Sequence, residues 1–384
     1  MRCSLFMRSV LLCCLGLCSP AWAFIPQINM LPGVTETSRD IYFLHMTIFL
    51  ICVVIGVVVF GFMIFAMIKY RRSKGVEAEH FHEKKSTEII LTVIPFLILV
   101  VMAVPATRVL VDMYDTNRSE VDIKVTGYQW KWRYEYLNEG ISFYSNLATP
   151  MDAVHGKEPK GEWYLLDVDN PLVLPIHTKI RFVVTSNDVI HSWWVPAFAV
   201  KRDAIPGFIH EAWTRIDKPG IYRGQCAELC GQLHGYMPIV VKAVTKVEYR
   251  HWVEAHQNQN KAKQAEAAQE AVKEYTKDEL MQMGEAGYKK HCAACHKEDG
   301  SGMPPAFPAL KGSPLAIGDV AAHIDIILHG KKGTAMQAFG EQLNDTDIAA
   351  ITTYERNAWG NDKLLKAGAV SIVQPKDIAA ARQK

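Results

Sequence analysis

The hydropathy of the chain is segmented. Residues 41–68 are apolar almost without interruption, and residues 89–111 repeat the pattern. Each run exceeds the roughly 20 residues that a helix needs to cross a bilayer. Pro95 and Pro105 in the second run are tolerated in a packed membrane helix. Lys69, Arg71, Arg72, Lys74, Lys84 and Lys85 lie between the runs. A short cationic connection stays in the cytoplasm, so both ends of this transmembrane hairpin face outward. A shorter apolar core, Val10–Leu17, follows Arg2 and Arg8 and precedes Ala21-Trp22-Ala23. That layout predicts a signal peptide over residues 1–23, with cleavage after Ala23. Cys18 is an alternative lipidation position, although Leu17 before it is bulky for such a signal.

From Val121 the period changes to two. Val121-Asp122-Ile123-Lys124-Val125, Lys179-Ile180-Arg181-Phe182-Val183 and Ile239-Val240-Val241-Lys242 alternate, separated by turn residues. Short strands at this spacing predict an all-β sandwich or barrel, placed over residues 119–253. Read as one strand, Tyr128–Tyr136 puts Tyr128, Trp130, Trp132, Tyr134 and Tyr136 on one face. Core packing accounts for most of these rings, yet five on one face also suits a partner contact. Residues 254–280, rich in Ala, Glu, Lys and Gln, read as a solvated linker, helical in part. A small all-α domain over residues 281–360 and a tail over 361–384 complete the chain. Within it Thr346–Trp359 is helical in pattern and is expected to pack on the helix before Cys292, crossing near Gly284, Gly287 and Tyr354.

The chain has 384 residues, a formal net charge of +2 and nine cysteines. That charge gives no electrostatic argument for nucleic acid. The cysteines form groups whose spacing suits metal and haem rather than a disulfide framework. Cys292-Ala293-Ala294-Cys295-His296 is a covalent haem c attachment motif, with His296 as proximal ligand. The sixth ligand of such haems is often Met, and Met336 lies in a turn-rich loop of the right kind. Met303 is too close to the attachment helix to reach the opposite face.

The second cluster is Cys226-x-x-x-Cys230-x-x-x-His234-x-x-Met237, with His191 upstream. Three readings fit these donors. A structural zinc would use both Cys and both His and leave Met237 idle. A mononuclear blue copper would leave one thiolate unused. A copper pair bridged by the thiolates, with Met237 and a backbone carbonyl completing the set, uses every donor. Glu88 opens the second apolar run, where a helix-start carboxylate is favoured by the dipole alone.

Gln225–Pro238 resembles the CuA loop of subunit two of the haem-copper cytochrome c oxidases. Other blocks match that family in order: Glu88 seven residues before Pro95, Gln129-Trp130-x-Trp132, Val168-Asp169-Asn170, His191-Ser192-Trp193 and Asp203-Ala204-Ile205-Pro206-Gly207. The resemblance spans roughly residues 40–250, and the remaining domain resembles the class I cytochrome c fused to this subunit in some bacterial oxidases.

The resemblance implies several assignments. His191, Cys226, Cys230, His234 and Met237 would be side-chain ligands of a binuclear copper. Glu228 would supply a backbone carbonyl to it, and its carboxylate would help hold magnesium at the contact with subunit one. Trp130 matches the tryptophan through which electrons enter, and Glu88 the carboxylate at the mouth of a proton channel. Lys131 departs from the family, where an aromatic is common.

The expected architecture is thus multidomain: a two-helix transmembrane hairpin over residues 24–118, a cupredoxin-like Greek-key barrel and a small cytochrome c domain. The expected role is the electron-entry subunit of a respiratory cytochrome c oxidase in the bacterial inner membrane, with the copper and haem domains periplasmic. Its haem c, attached through Cys292 and Cys295 and ligated by His296 and Met336, would be reduced by a cytochrome bc1 complex or a soluble cytochrome c. Subunits one and three would be its partners, and proton translocation would be coupled to oxygen reduction in subunit one. A copper chaperone and an electron-delivery subunit of a nitric oxide reductase are the rival classes. The second apolar span and the haem motif disfavour the first, and Glu88 the second.

Overall fold

The computed structural model describes residues 29–75, 77, 83–270, 273–305, 307–331 and 334–383. The signal-peptide expectation lies outside the described residues.

Two long helices, α1 (Glu36–Lys69) and α2 (Lys85–Tyr114), lead the described chain. Thr35 caps α1, accepting from the Ser38 backbone at 3.0 Å while the Ser38 hydroxyl receives the Thr35 N–H. With 34 and 30 residues, these helices run about 51 and 45 Å at a 1.5 Å rise, longer than a hydrocarbon core of ~30 Å. The excess reaches the β domain. Arg39 pairs with Asp217 at 2.7 Å, Thr35 Oγ1 donates to Phe198 O, and Trp213 Nε1 donates to Asp112 O at 2.7 Å. These bonds tie both helices of the hairpin to the β domain.

Among the described residues ten strands follow, in two sheets. One sheet has the order β3 (Ile141–Ser145), β2 (Lys131–Tyr136), β1 (Val121–Tyr128), β5 (Ile180–Ser186), β8 (His210–Thr214). The other runs β4 (Leu172–Pro175), β10 (Ile239–Val244), β9 (Gly220–Cys226), β6 (His191–Val195), β7 (Val200–Ala204). The period-two positions meet between the sheets: Ile123, Val125, Phe182, Val184, Trp193, Leu172, Ile239 and Val241 are all buried. β1 pairs with β5 in parallel and with β2 antiparallel, the crossed order of a Greek-key arrangement.

The aromatic stripe is not one strand. Tyr128 ends β1 and pairs with Lys131, so Gln129 and Trp130 form the hairpin turn. Trp132, Tyr134 and Tyr136 are core residues, while the turn lifts Trp130 to the half-exposed rim. A two-residue turn resets the alternation, which a continuous reading carries straight through.

Helix α3 (Lys246–Glu270) starts against the β domain rather than beyond it. Trp252 stacks on Tyr249 and lies 5.0 Å from Tyr136. The C-terminal region contains α4 (Lys277–His291), α5 (Val320–His329), α6 (Asp345–Asn357) and α7 (Pro375–Arg382). Thr276 and Glu279 form a capping box at the start of α4. Gly284 permits the close crossing of α4 and α6, since a Cβ there would lie 2.1 Å from Ala350 O. The tail is packed: Val373 and Ile378 are fully buried, and Arg356 donates to Val370 O, Ala316 O and Gly318 O.

Candidate metal centre

The loop after β9 closes against the start of β6. Cys226 ends β9, His191 begins β6, and residues 227–238 run between β9 and β10. Antiparallel pairing of Trp193 with Cys226 sets the two elements in register, and Ala227 N donates to Ser192 O as the loop departs. Cys226 Sγ lies 3.9 Å from His191 Nδ1 and 3.9 Å from Cys230 Sγ. Cys230 Sγ lies 3.4 Å from His234 Nδ1 and 3.6 Å from Met237 Sδ. Glu228 places its carbonyl oxygen 3.4 Å from Cys226 Sγ, while its side chain is exposed. All five predicted side-chain donors and the predicted carbonyl therefore surround one thiol pair.

His191, Cys226, Cys230 and Met237 are buried, and His234 is half-buried. The two histidines present Nδ1 to different sulfurs, one on each side of the pair. That symmetry, with a thioether on one flank and a carbonyl on the other, fits two soft metal ions sharing two thiolates. A four-donor zinc site would leave Met237 without a role at a position that is 1% exposed.

A second layer of bonds holds the donors. His191 Nε2 faces Asp188 Oδ1 at 2.9 Å, which turns Nδ1 toward the sulfurs. Burial works against a charged His191 ring, but the Asp188 carboxylate and Cys226 outweigh it and raise the pKa. The hydrogen bond from the Cys230 thiol pulls the Cys226 thiol down to about 4 against burial, and His191 adds to it. The neighbouring sulfur holds Cys230 well above its ordinary range. Gln129 Nε2 and Trp130 Nε1 both donate to Cys230 O, at 2.8 and 3.2 Å. Trp132 Nε1 donates to Met237 O at 3.1 Å. Gly127 leaves space for the imidazole, since a Cβ there would lie 2.8 Å from His191 Cδ2.

In the C-terminal region Cys292, Cys295 and His296 occupy one helical turn, with His296 N bonded to Cys292 O at 2.9 Å. His296 Nδ1 meets Pro308 O at 2.8 Å, leaving Nε2 for a metal. Burial pushes the Cys295 thiol up to about 11 and Cys292 well above its ordinary value. Cys292 packs against the apolar core of this region. Met336 packs against the apolar core of this region, and its carbonyl accepts from Lys331 N at 2.8 Å. Met303 pairs through its backbone with Phe307.

Glu88 stands apart from both clusters. It lies in the first turn of α2, about 36 Å of helix from Asp112 at 1.5 Å per residue. Three features escaped sequence reasoning: Asp188, the Gln129 bond to the loop, and the burial of Lys131. Asp188 sits three residues before His191, a spacing that carries no signal until the Asn187-Asp188 turn is known.

The sequence comparisons agree with this layout. Residues 23–109 match the family described as cytochrome C oxidase subunit II, transmembrane domain. Residues 121–244 match its periplasmic domain, and residues 279–354 match cytochrome C oxidase, cbb3-type, subunit III. A probable cytochrome c oxidase subunit 2 of Rickettsia prowazekii is 39% identical over 228 residues, covering 59% of this chain and 71% of its own. The chain belongs to the cytochrome c oxidase subunit II family. Cytochrome c oxidase subunit 2 of Cereibacter sphaeroides is 36% identical, covering 58% of this chain and 78% of its own. The crystal structure of the periplasmic domain of subunit II (CoxB) of Bradyrhizobium japonicum is 41% identical, with a TM-score of 0.33, covering 38% of this chain and 98% of that one.

Membership makes this chain part of the oxidase complex, partnered in the membrane by subunit I and serving in electron transfer. The subunit II family implies copper, and the cytochrome domain implies haem. The two apolar helices carry a periplasmic β domain.

Proposed function

We propose that this subunit is the electron-entry point of a respiratory cytochrome c oxidase, holding a binuclear CuA and a covalent haem c on one chain. The observation that carries the reading is the donor set around Cys226 and Cys230: a histidine Nδ1 beside each sulfur, Met237 Sδ on one flank and Glu228 O on the other. Such groups supply reversible one-electron chemistry when bound.

The chain's own residues prepare the site for that chemistry. Asp188 fixes the His191 ring, and Gln129 and Trp130 pin the loop at Cys230 O. A donor shell fixed in advance needs little rearrangement when charge changes, which keeps the cost of each transfer low. Burial of Cys226, Cys230 and Met237 excludes water from the sulfurs. Trp130, half-exposed and bonded to Cys230 O, links the surface to the buried site. In the C-terminal domain Cys292 and Cys295 would anchor the haem, and His296 and Met336 would hold its iron.

The remaining roles follow the family. Glu88, in the first turn of α2, would serve the mouth of a proton channel and couple oxygen reduction in subunit I to proton translocation. The exposed Glu228 carboxylate would help hold magnesium against subunit I, and subunit III would complete the complex in a bacterial inner membrane. A cytochrome bc1 complex or a soluble cytochrome c would supply electrons to the haem. Purifying the complex and recording reduced-minus-oxidised spectra tests this reading. It predicts a c-type haem on this polypeptide together with a copper band that bleaches on reduction; absence of either would overturn it.

A further inference from the structure

The C-terminal domain meets the β domain at the Gln129–Arg133 hairpin. Phe307 lies edge-on to Trp130 at 6.3 Å, and Gln337 Nε2 donates to Gln129 O at 3.4 Å. Arg133 pairs with Glu341 at 2.5 Å. Lys131 Nζ donates to Gln342 Oε1 and stands over the rings of Tyr144 and Phe339, at 4.8 and 5.4 Å. Lys131 is 7% exposed, an environment a lysine occupies only when its ammonium is partnered.

The contact surface includes chain neighbours of residues at both proposed haem ligands. Phe307 adjoins Pro308, whose carbonyl orients His296, and Gln337 adjoins Met336. The face touching Trp130 therefore carries the immediate chain neighbours of Pro308 and of Met336. The acceptor loop is itself braced. Arg382 donates to Gly340 O and Leu343 O, on either side of Glu341 and Gln342, and pairs with Asp345 at 2.5 Å. Gln342 Nε2 also donates to Ala338 O at 2.5 Å, which aims its Oε1 at Lys131.

We propose that Lys131 and Arg133, with Gln342 and Glu341, form an intrachain latch that seats the haem edge on Trp130 and bars a lysine-ringed soluble cytochrome from that surface. The inference rests on the electron-entry reading above. Its electrostatic sense decides the partner: the copper-domain side presents cations, and the haem-domain side a carboxylate and an amide. A cytochrome whose haem edge carries cations meets like charge at Trp130, whereas one edged with carboxylates or amides is accepted. Arg133 also touches Glu135, but at 3.4 Å the pairing is longer than that to Glu341. The latch is a weak one, because Glu341 is 68% exposed and water and salt screen it. Attachment through α3 compensates, since a tether supplies an effective concentration of about millimolar order. A latch of this strength opens readily, so the same haem edge can also meet a donor.

The test uses the intact, copper- and haem-loaded complex with E341K, R133E and the double exchange R133E/E341K. Hydroxyl-radical footprinting of Trp130, read by mass spectrometry, reports its cover independently of activity. The latch predicts that Trp130 oxidation rises roughly two- to fivefold in each single variant, the range for a partly exposed ion pair, and returns to the parent level in the exchange. It also predicts that a basic soluble cytochrome c reduces copper directly in R133E and not in the parent. Unchanged oxidation in the single variants, or failure of the exchange to restore cover, would overturn it. Failure of the unaltered complex to hold copper or haem would overturn the electron-entry reading instead, while the footprint would still report on the latch.

Discussion

The indole Nε1 of Trp130 donates to the backbone carbonyl of Cys230 at 3.2 Å. One side chain thus touches both the Phe307 ring of the C-terminal domain and the peptide of a thiol residue in the metal loop. Trp130→Phe removes that bond and leaves an aromatic ring in place. Gln129 Nε2 still donates to Cys230 O at 2.8 Å, so the loop keeps its position. The expected outcome is intramolecular transfer slowed roughly tenfold, equivalent to about 1.4 kcal/mol in the barrier, with the copper and haem spectra unchanged. Flash-photolysis kinetics check this, and an unchanged rate would remove Trp130 from the path.

Met237 is buried with Sδ 3.6 Å from Cys230 Sγ, and its carbonyl is held by Trp132. Because the loop is fixed through that carbonyl, Met237→Leu changes the donor atom without releasing the backbone. An axial thioether tunes a copper site rather than anchoring it. Copper content should stay at the parent level while the potential shifts, by roughly 59 mV for each tenfold change in the one-electron equilibrium. Redox titration with metal analysis checks this; complete copper loss would contradict it.

Much of this was legible in the sequence because the signals were local. The spans follow from hydropathy, the loop donors lie within twelve residues of one another, and the haem motif is a single turn. The rest depended on residues brought together from afar. Asp188 reaches His191 only once β5 has turned into β6, and Trp130 leaves the aromatic stripe because a turn interrupts it. Lys131 reads as a surface charge until the C-terminal domain covers it. The tail carries too short a pattern to reveal that Val373 and Ile378 complete the core of this domain, or that Arg382 braces the loop around Gly340 and Leu343.

Proton affinities make the metal-free thiols unequal. The bond from Cys230 draws Cys226 down to about 4 against the opposing effect of burial. A lowered thiol pKa means that the thiolate persists as pH falls, so Cys226 should react with iodoacetamide at a nearly constant rate from about pH 8 to about pH 6, whereas a free thiol with pKa ≈ 8.5 slows almost tenfold per unit. Cys230, shifted upward, should stay largely unlabelled. Peptide mapping of the apo protein checks both, and equal labelling of the two residues would contradict the asymmetry.

Two neighbouring glycines on α4 should respond differently to a methyl group. At Gly284 the new Cβ would meet the Ala350 carbonyl at 2.1 Å, backbone that cannot move without shifting α6. At Gly287 it would meet Ile351 Cγ1 at 2.9 Å, a side chain with freedom to rotate. Overpacking of this kind costs about 1–3 kcal/mol, so Gly284→Ala should lower the melting temperature of the haem domain clearly more than Gly287→Ala. Thermal melts followed at the haem Soret band check the order, and equal effects would contradict the crossing geometry.

The most direct test of the copper-pair reading is the metal content of the purified, oxidised complex together with its electron paramagnetic resonance spectrum. Two copper ions per copy of this subunit beyond the copper of the oxygen-reducing site, with one unpaired electron spread over both nuclei, are the result this account predicts. A single zinc ion, or a spectrum from one isolated copper nucleus, would contradict it.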